Sequence, residues 1–141
     1  MGQHDKAADV RRSGDILREE AGRYEARSIL ARKIGELAVG ERLLIWRRRE
    51  GISQTGAAAL LGIHRNKYGE IENGSEDWDG MIPHVGDLYS HEMCFLLRKR
   101  SSLTISDCAE EIGVSRYWYN LMELGKASPE RLVEYWIEDE G

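Results

Sequence analysis

Four consecutive residues, His64-Arg65-Asn66-Lys67, bring hydrogen-bonding side chains of several kinds to one point of the chain. Arg65 and Lys67 suit the two acceptors on the edge of guanine, and the amide of Asn66 suits the donor and acceptor of adenine. His64 could touch a base or a phosphate. A second polar and aromatic set follows at Ser115, Arg116, Tyr117, Trp118 and Asn120. Other chemistry is poorly supplied. His84, His91, Cys94 and Cys108 could be imagined as zinc ligands, but only His91-x-x-Cys94 makes a close pair, so no metal is expected. A glycine-rich phosphate loop, a nucleophile elbow and an HExxH pair are all absent from the sequence. Neither catalysis nor a cofactor is expected.

Base-edge chemistry needs a rigid element to present it. The sequence predicts a helix opening at Gly40-Glu41 and running to about Glu50, with Leu43 and Trp46 inward and Gly51 as its stop. Ser53 is placed to cap a helix over residues 54–61, and Gly62 makes the following tight turn. His64 or Arg65 then starts a helix that ends near Asn73-Gly74. Gly56 inside the middle helix costs about 1 kcal/mol relative to Ala. A close approach by another helix, or by phosphate, would account for it.

Further along, Ser90, Thr104 and Ser115 read as caps, with Asp107 completing a capping box after Thr104. Ser128-Pro129 reads as cap and first helical residue of a last helix with Leu132, Val133, Trp136 and Ile137 on its apolar face. A short helical turn is expected around residues 83–89. Ahead of all this, apolar residues at helical spacing predict one or two helices between Ser13 and Leu37, and the first dozen residues are expected to fray. That segment would pack on the domain that follows or serve as a dimerisation helix. Nothing reads as a strand.

Residues 44–74 lie over residues 95–125 without a gap, at an offset of 51. Arg47 meets Arg98, Arg49 meets Arg100, and Ala58 meets Ala109. Gly62, Arg65, Tyr68, Glu72 and Gly74 meet Gly113, Arg116, Tyr119, Glu123 and Gly125. Apolar positions stay apolar, as in Ile52/Leu103, Leu61/Ile112, Ile63/Val114 and Ile71/Met122. Such a period is that of a small domain used twice. The expected organisation is an N-terminal helical segment (1–38), a first helical domain with an acidic connector (39–89), and a second, divergent one (90–141).

Over residues 40–74 the chain resembles the lambda-repressor-like (Cro/CI-type) helix-turn-helix family. The resemblance rests on Gly40-Glu41-Arg42-Leu43, Arg47, Gly51-Ile52-Ser53-Gln54, Ala58, Gly62-Ile63, Tyr68 and Glu72-Asn73-Gly74. The second copy keeps Arg98, Thr104, Ala109, Gly113-Val114-Ser115, Tyr119, Glu123 and Gly125. The resemblance implies an all-α fold of two tandem helix-turn-helix bundles. In that motif one helix braces against the backbone while the next enters the major groove. It therefore implies base reading by His64, Arg65, Asn66 and Lys67. Phosphate contact would fall to Ser53 and Gln54 at a helix N-terminus, with Arg47 adding to it. It further implies a cytoplasmic, nucleoid-associated transcription regulator on a double-stranded operator. A homodimeric repressor from a phage or mobile element is the expectation. In the second copy Ile105 replaces the glutamine, and Tyr117 and Trp118 replace Asn66 and Lys67. Those positions could contact DNA or a partner subunit.

At 141 residues with 41% apolar content, the chain can bury a core and suits one domain or two very small ones. No apolar run reaches membrane-spanning length, no secretory signal pattern opens the chain, and two cysteines make no disulfide framework. Net charge is −5, awkward for a DNA binder, but the acid is localised. Residues 75–95 hold Glu76, Asp77, Asp79, Asp87 and Glu92 with no Lys or Arg, and the tail from Ala127 holds five acids against Arg131. Residues 40–74 carry six basic side chains against four acidic ones. Local field matters more than the total for steering to phosphate. The competing expectation is a protein-interaction adaptor that does not bind DNA and meets its partner through the acidic connector or C-terminal tail.

Overall fold

The structure is a computed structural model that describes residues 22–139. The expected fraying of the first dozen residues, and the part of the expected N-terminal helices that precedes residue 22, lie outside the described residues. Among the described residues there are helices and no strands. Residues 22–34 form α1. It is followed by Val39–Glu50 (α2), Gln54–Leu61 (α3), Arg65–Glu72 (α4), Ser90–Arg100 (α5), Ile105–Ile112 (α6), Arg116–Glu123 (α7) and Glu130–Glu138 (α8).

The helix boundaries follow from local chemistry, and they repeat. Ser53 accepts a hydrogen bond from the Gly56 N–H (3.0 Å), and Thr104 does the same from Asp107 (3.0 Å). Gly62 and Gly113 end α3 and α6 in the left-handed conformation, at φ 71° and 75°. A β-carbon there would crowd the following carbonyl, so glycine is the low-cost residue. Each three-residue turn then delivers a capped helix. His64 Nδ1 accepts from the Asn66 N–H, and Ser115 Oγ accepts from the Trp118 N–H.

Several boundaries differ from expectation. α1 stops at residue 34, before Leu37, because Gly35 turns to φ 60°. Residues 83–89 contain no helical turn. Tyr89 occupies the cap position expected of Ser90, and Pro129 the one expected of Ser128. The anticipated crowding at Gly56 is absent. A β-carbon there would meet only Ser53 Oγ at 3.5 Å and Ile52 at 3.6 Å, which is ordinary contact.

Two buried clusters hold the helices. In the first unit Leu43, Ala57, Ala58, Tyr68 and Ile71 pack together, with Trp46 and Trp78 against them. Their repeat partners Cys94, Cys108, Ala109, Tyr119 and Met122 form the heart of the second cluster. That cluster is larger, taking in Leu30 and Ile34 of α1, Leu132 and Trp136 of α8, and Leu44 and Ile45 of α2. Each fully buried side chain of this size contributes about 1.5–3 kcal/mol. So α1 packs into the cluster centred on the second unit, which also takes in Leu44 and Ile45 of the unit that follows it in sequence. Arg27 donates to the Leu88 carbonyl (2.9 Å), and Lys33 donates to the carbonyls of Trp136 and Asp139.

The two repeats meet reciprocally. Arg49, on the last turn of α2, donates twice to Glu92 in the first turn of α5 (both 2.7 Å). Arg100, on the last turn of α5, donates twice to Glu41 in the first turn of α2 (2.7 and 2.8 Å). Arg49 and Arg100 are repeat partners, and so are Glu41 and Glu92. The same two arginines also donate to the carbonyls of Val85 and Ile34, which are again repeat partners. Contact of i with j matched by j with i is the mark of a two-fold interface, here within one chain. It sets α2 and α5 antiparallel. Each glutamate does double duty, because Glu41 also accepts from the Ala38 N–H and Glu92 from the Tyr89 N–H.

Candidate nucleic-acid interface

α4 is fixed from behind and open in front. Tyr68 and Ile71 are buried and anchor one face. Arg65, Asn66 and Lys67 in its first turn are all exposed. Glu70 and Asn73 are exposed too, at helical spacing from Asn66. The sequence reading passed over both, although the 66-70-73 spacing was the available signal. Glu76 shares a hydrogen bond with Glu70 and, with its like charge, pushes that carboxyl above its usual range.

The expected base-reading set is not one patch. Arg65 and Asn66 line a cleft of about 730 Å³ whose far wall is Leu96, Lys99 and Arg100 of α5. Lys67 points elsewhere. Its ammonium lies 3.9 Å from Glu76 and 5.9 Å from the centre of the Trp78 ring, on the connector. His64 has one ring nitrogen occupied by the cap, leaving Nε2 as its remaining hydrogen-bonding atom.

The expected phosphate set also divides. Ser53 is exposed at the start of α3, with its hydroxyl capping the helix. Gln54 is half-buried, and its amide donates to Glu72 (3.1 Å). Arg47 is turned inward. It donates twice to Glu72, at 2.9 Å each, and once to the Ile52 carbonyl at 3.3 Å. That bidentate pair ties α2 to the end of α4, so Arg47 positions the presenting helix. Burial pushes the Glu72 carboxyl up, but hydrogen bonds from Arg47, Tyr68 and Gln54 outweigh it and hold the group below its usual range. Arg48 and Arg49 are equally committed. The Arg48 guanidinium lies 3.6 Å from the centre of the Phe95 ring, and Arg49 holds Glu92. The basic run Arg47-Arg48-Arg49 at the end of α2 is thus engaged in contacts within the protein.

The second unit repeats the support and changes the face. Arg98 donates twice to Glu123 (2.8 and 2.7 Å) and once to the Leu103 carbonyl (2.9 Å), position for position as Arg47 does. Ser115 is spent on the cap of α7. Arg116 and Asn120 are exposed, and so are Tyr117 (73%), Trp118 (48%) and Leu124 (40%). Where α4 presents Asn66, Lys67 and Asn73, α7 presents Tyr117, Trp118 and Leu124. The cleft beside α7, lined by Arg48, Arg49, His91, Glu92 and Leu124, holds only about 210 Å³.

Among the described residues the histidines and cysteines do not assemble, and no cluster of three or more potential metal ligands occurs. Burial pushes the Cys94 thiol up to about 12, so it stays protonated and unreactive. No described helix is long and apolar enough to cross a membrane. No protein-family model matches the chain, and neither a curated protein nor a solved structure matches it.

Proposed function

We propose that the chain is a non-enzymatic, sequence-specific binder of double-stranded DNA, acting as a transcriptional repressor of the kind phages and mobile elements carry. In this reading the repeats are tandem helix-turn-helix units, and α4 is the helix that enters the major groove. Arg65 and Asn66 read base edges, and Lys67 and His64 flank them. The exposed N-terminus of α3, with Ser53, meets phosphate. One observation carries the reading: α4 is braced by the half-buried Arg47–Glu72 clamp, while Arg65 and Asn66 at its first turn stand exposed over an open cleft. The helix backbone is pre-organised by the clamp, which leaves only the exposed side chains to be ordered on binding.

The reciprocal seam bears on operator geometry. A repressor pair meets two half-sites about 34 Å apart through two-fold symmetry. Here one chain already contains a two-fold-like pair, but where α4 presents Asn66 and Lys67, α7 presents Tyr117 and Trp118. Either α7 contacts a degenerate half-site through Tyr117, Trp118 and Asn120, or chains pair so that two copies of α4 reach the operator. Selection of bound sequences from random duplexes separates these readings: contact by α7 yields one sharp half-site beside a degenerate one, and paired chains yield a palindrome.

A second reading is favoured by one observation, the exposed aromatic face of α7. A contiguous apolar patch marks a protein contact more often than a nucleic-acid one. In that adaptor reading the fold is kept for shape and α7 is the docking helix. Salt titration discriminates, because phosphate neutralisation makes affinity fall steeply with salt. Absence of duplex binding at low salt removes the DNA reading and leaves the adaptor.

A further inference from the structure

The repeat places Arg48 and Lys99 at equivalent positions, on the last turns of α2 and α5. Their surroundings differ at several positions, and one of these touches the side chain itself. Arg48 stacks over Phe95, but the counterpart of Phe95 is Leu44, which offers no ring. Lys99 has no such platform and is exposed. The two clefts related by the seam differ accordingly. The one at Arg48 is reduced to about 210 Å³, and the one at Lys99 stays open at about 730 Å³.

The charged groups lining the open cleft sort themselves. Glu41 is held by Arg100, and Glu72 by Arg47. Glu70 faces Glu76. Among the described residues, Arg65 and Lys99 have no carboxylate partner. One comes from the presenting helix of the first unit, the other from the opposite wall in the second. Between them lie the amides of Asn66 and Asn73. A helix seated in the major groove has a sugar-phosphate strand along each flank, and phosphate contacts fix its register. One flank of α4 is this cleft.

We propose that the cleft between α4 and α5 seats the phosphodiester backbone of one DNA strand, with Lys99 of the second unit making the ionic contact. The inference rests on the DNA-reading assignment of α4. It gives the second unit a part in binding that needs no base readout by α7. The unit is a wall, held at fixed spacing by the Arg49–Glu92 and Arg100–Glu41 pairs, and Lys99 is its point charge for phosphate.

The test is a salt titration of duplex affinity for the full chain, using the duplex selected by the wild type. Lys99→Gln should lower the salt slope by about 0.9 and weaken binding about fivefold at 0.15 M salt. The loss should be equal on matched and mismatched duplexes, because a phosphate contact carries no sequence information. Lys126→Gln, which removes an exposed lysine outside the cleft, should leave the slope as it was. Thermal melting should match wild type for both, since both side chains are exposed. Wild-type binding with a Lys99→Gln slope and affinity unchanged overturns the cleft assignment while leaving α4 as reader. Absence of any salt-dependent duplex binding by the wild type overturns the reader itself.

Discussion

The two units share a skeleton and differ in what they show to solvent. Arg47–Glu72 and Arg98–Glu123 are the same clamp, each separated by 25 residues and each adding a bond to a carbonyl five residues on. They differ in depth. The first pair keeps 21% and 7% of its side-chain surface exposed, the second 10% and 2%. On the outer faces Asn66, Lys67 and Asn73 stand where the second unit has Tyr117, Trp118 and Leu124. The clamp residues are identical in the two units, while these three outer positions differ in kind. The difference teaches that the two units share their supporting clamp and part company on their outer faces.

The comparison can be broken at the clamps, where the largest effect is expected. Glu123→Ala leaves the Arg98 guanidinium buried without a counter-charge and should cost about 3–5 kcal/mol. Glu72→Ala leaves Arg47 able to reach water and should cost only about 1–2 kcal/mol. Chemical denaturation of the two variants measures the gap, and equal losses would mean the units are equally buried in solution.

The faces give the next contrast. Arg65→Ala should cost about 1–3 kcal/mol of duplex affinity and relax preference at one base pair. The equivalent Arg116→Ala should change affinity by less than about 0.5 kcal/mol. Loss of affinity from Arg116→Ala as large as from Arg65→Ala would make the second unit a reader as well.

Acid should open the seam. At Glu41 and Glu92 burial pushes the carboxyls up, but hydrogen bonds from Arg100 and Arg49 and from the cap N–H groups outweigh it and hold both below the ordinary 4.5. A carboxyl depressed on folding stabilises fully above its unfolded value and loses that stabilisation as pH falls through the folded one. Melting temperature should therefore hold between about pH 5 and 7 and decline below pH 4.5, with a shallower decline in Glu92→Gln. A flat acid limb in the wild type would contradict the seam's ion pairs.

The smallest effect is a backbone one. Ser102 sits at φ 56°, where its repeat partner Gly51 sits at φ 67°. Ser102→Gly should stabilise the chain by about 1 kcal/mol by relieving the left-handed strain, and Gly51→Ala should destabilise it by a similar amount. Denaturant midpoints resolve both.

Most of the helices were legible because their signals are local. Ser53, Thr104, Ser115 and the glycines after α3 and α6 act within one turn of themselves. The core was legible through the repeat, since each buried residue of the first cluster predicts its partner in the second. The repeat also extends further back than the sequence alone suggested. Gly35-Glu36-Leu37 matches Gly86-Asp87-Leu88, and Gly35 and Gly86 share positive φ. The inward turn of Arg47, Arg48 and Arg49 was not legible, because their partners lie on other elements. A basic run at a helix end reads as solvated until Glu72, Phe95 and Glu92 are brought beside it. Lys99 was missed for the same reason, since only the seam carries it to the cleft of α4.

The central claim is that α4 reads base pairs through its exposed first turn. Its most direct test is selection from a random duplex pool by the wild-type chain and by a variant carrying Arg65→Ala, Asn66→Ala and Lys67→Ala. The account predicts an enriched motif for the wild type that the variant loses while melting at the same temperature. Enrichment of the same motif by both proteins, or of none by a folded wild type, would contradict it.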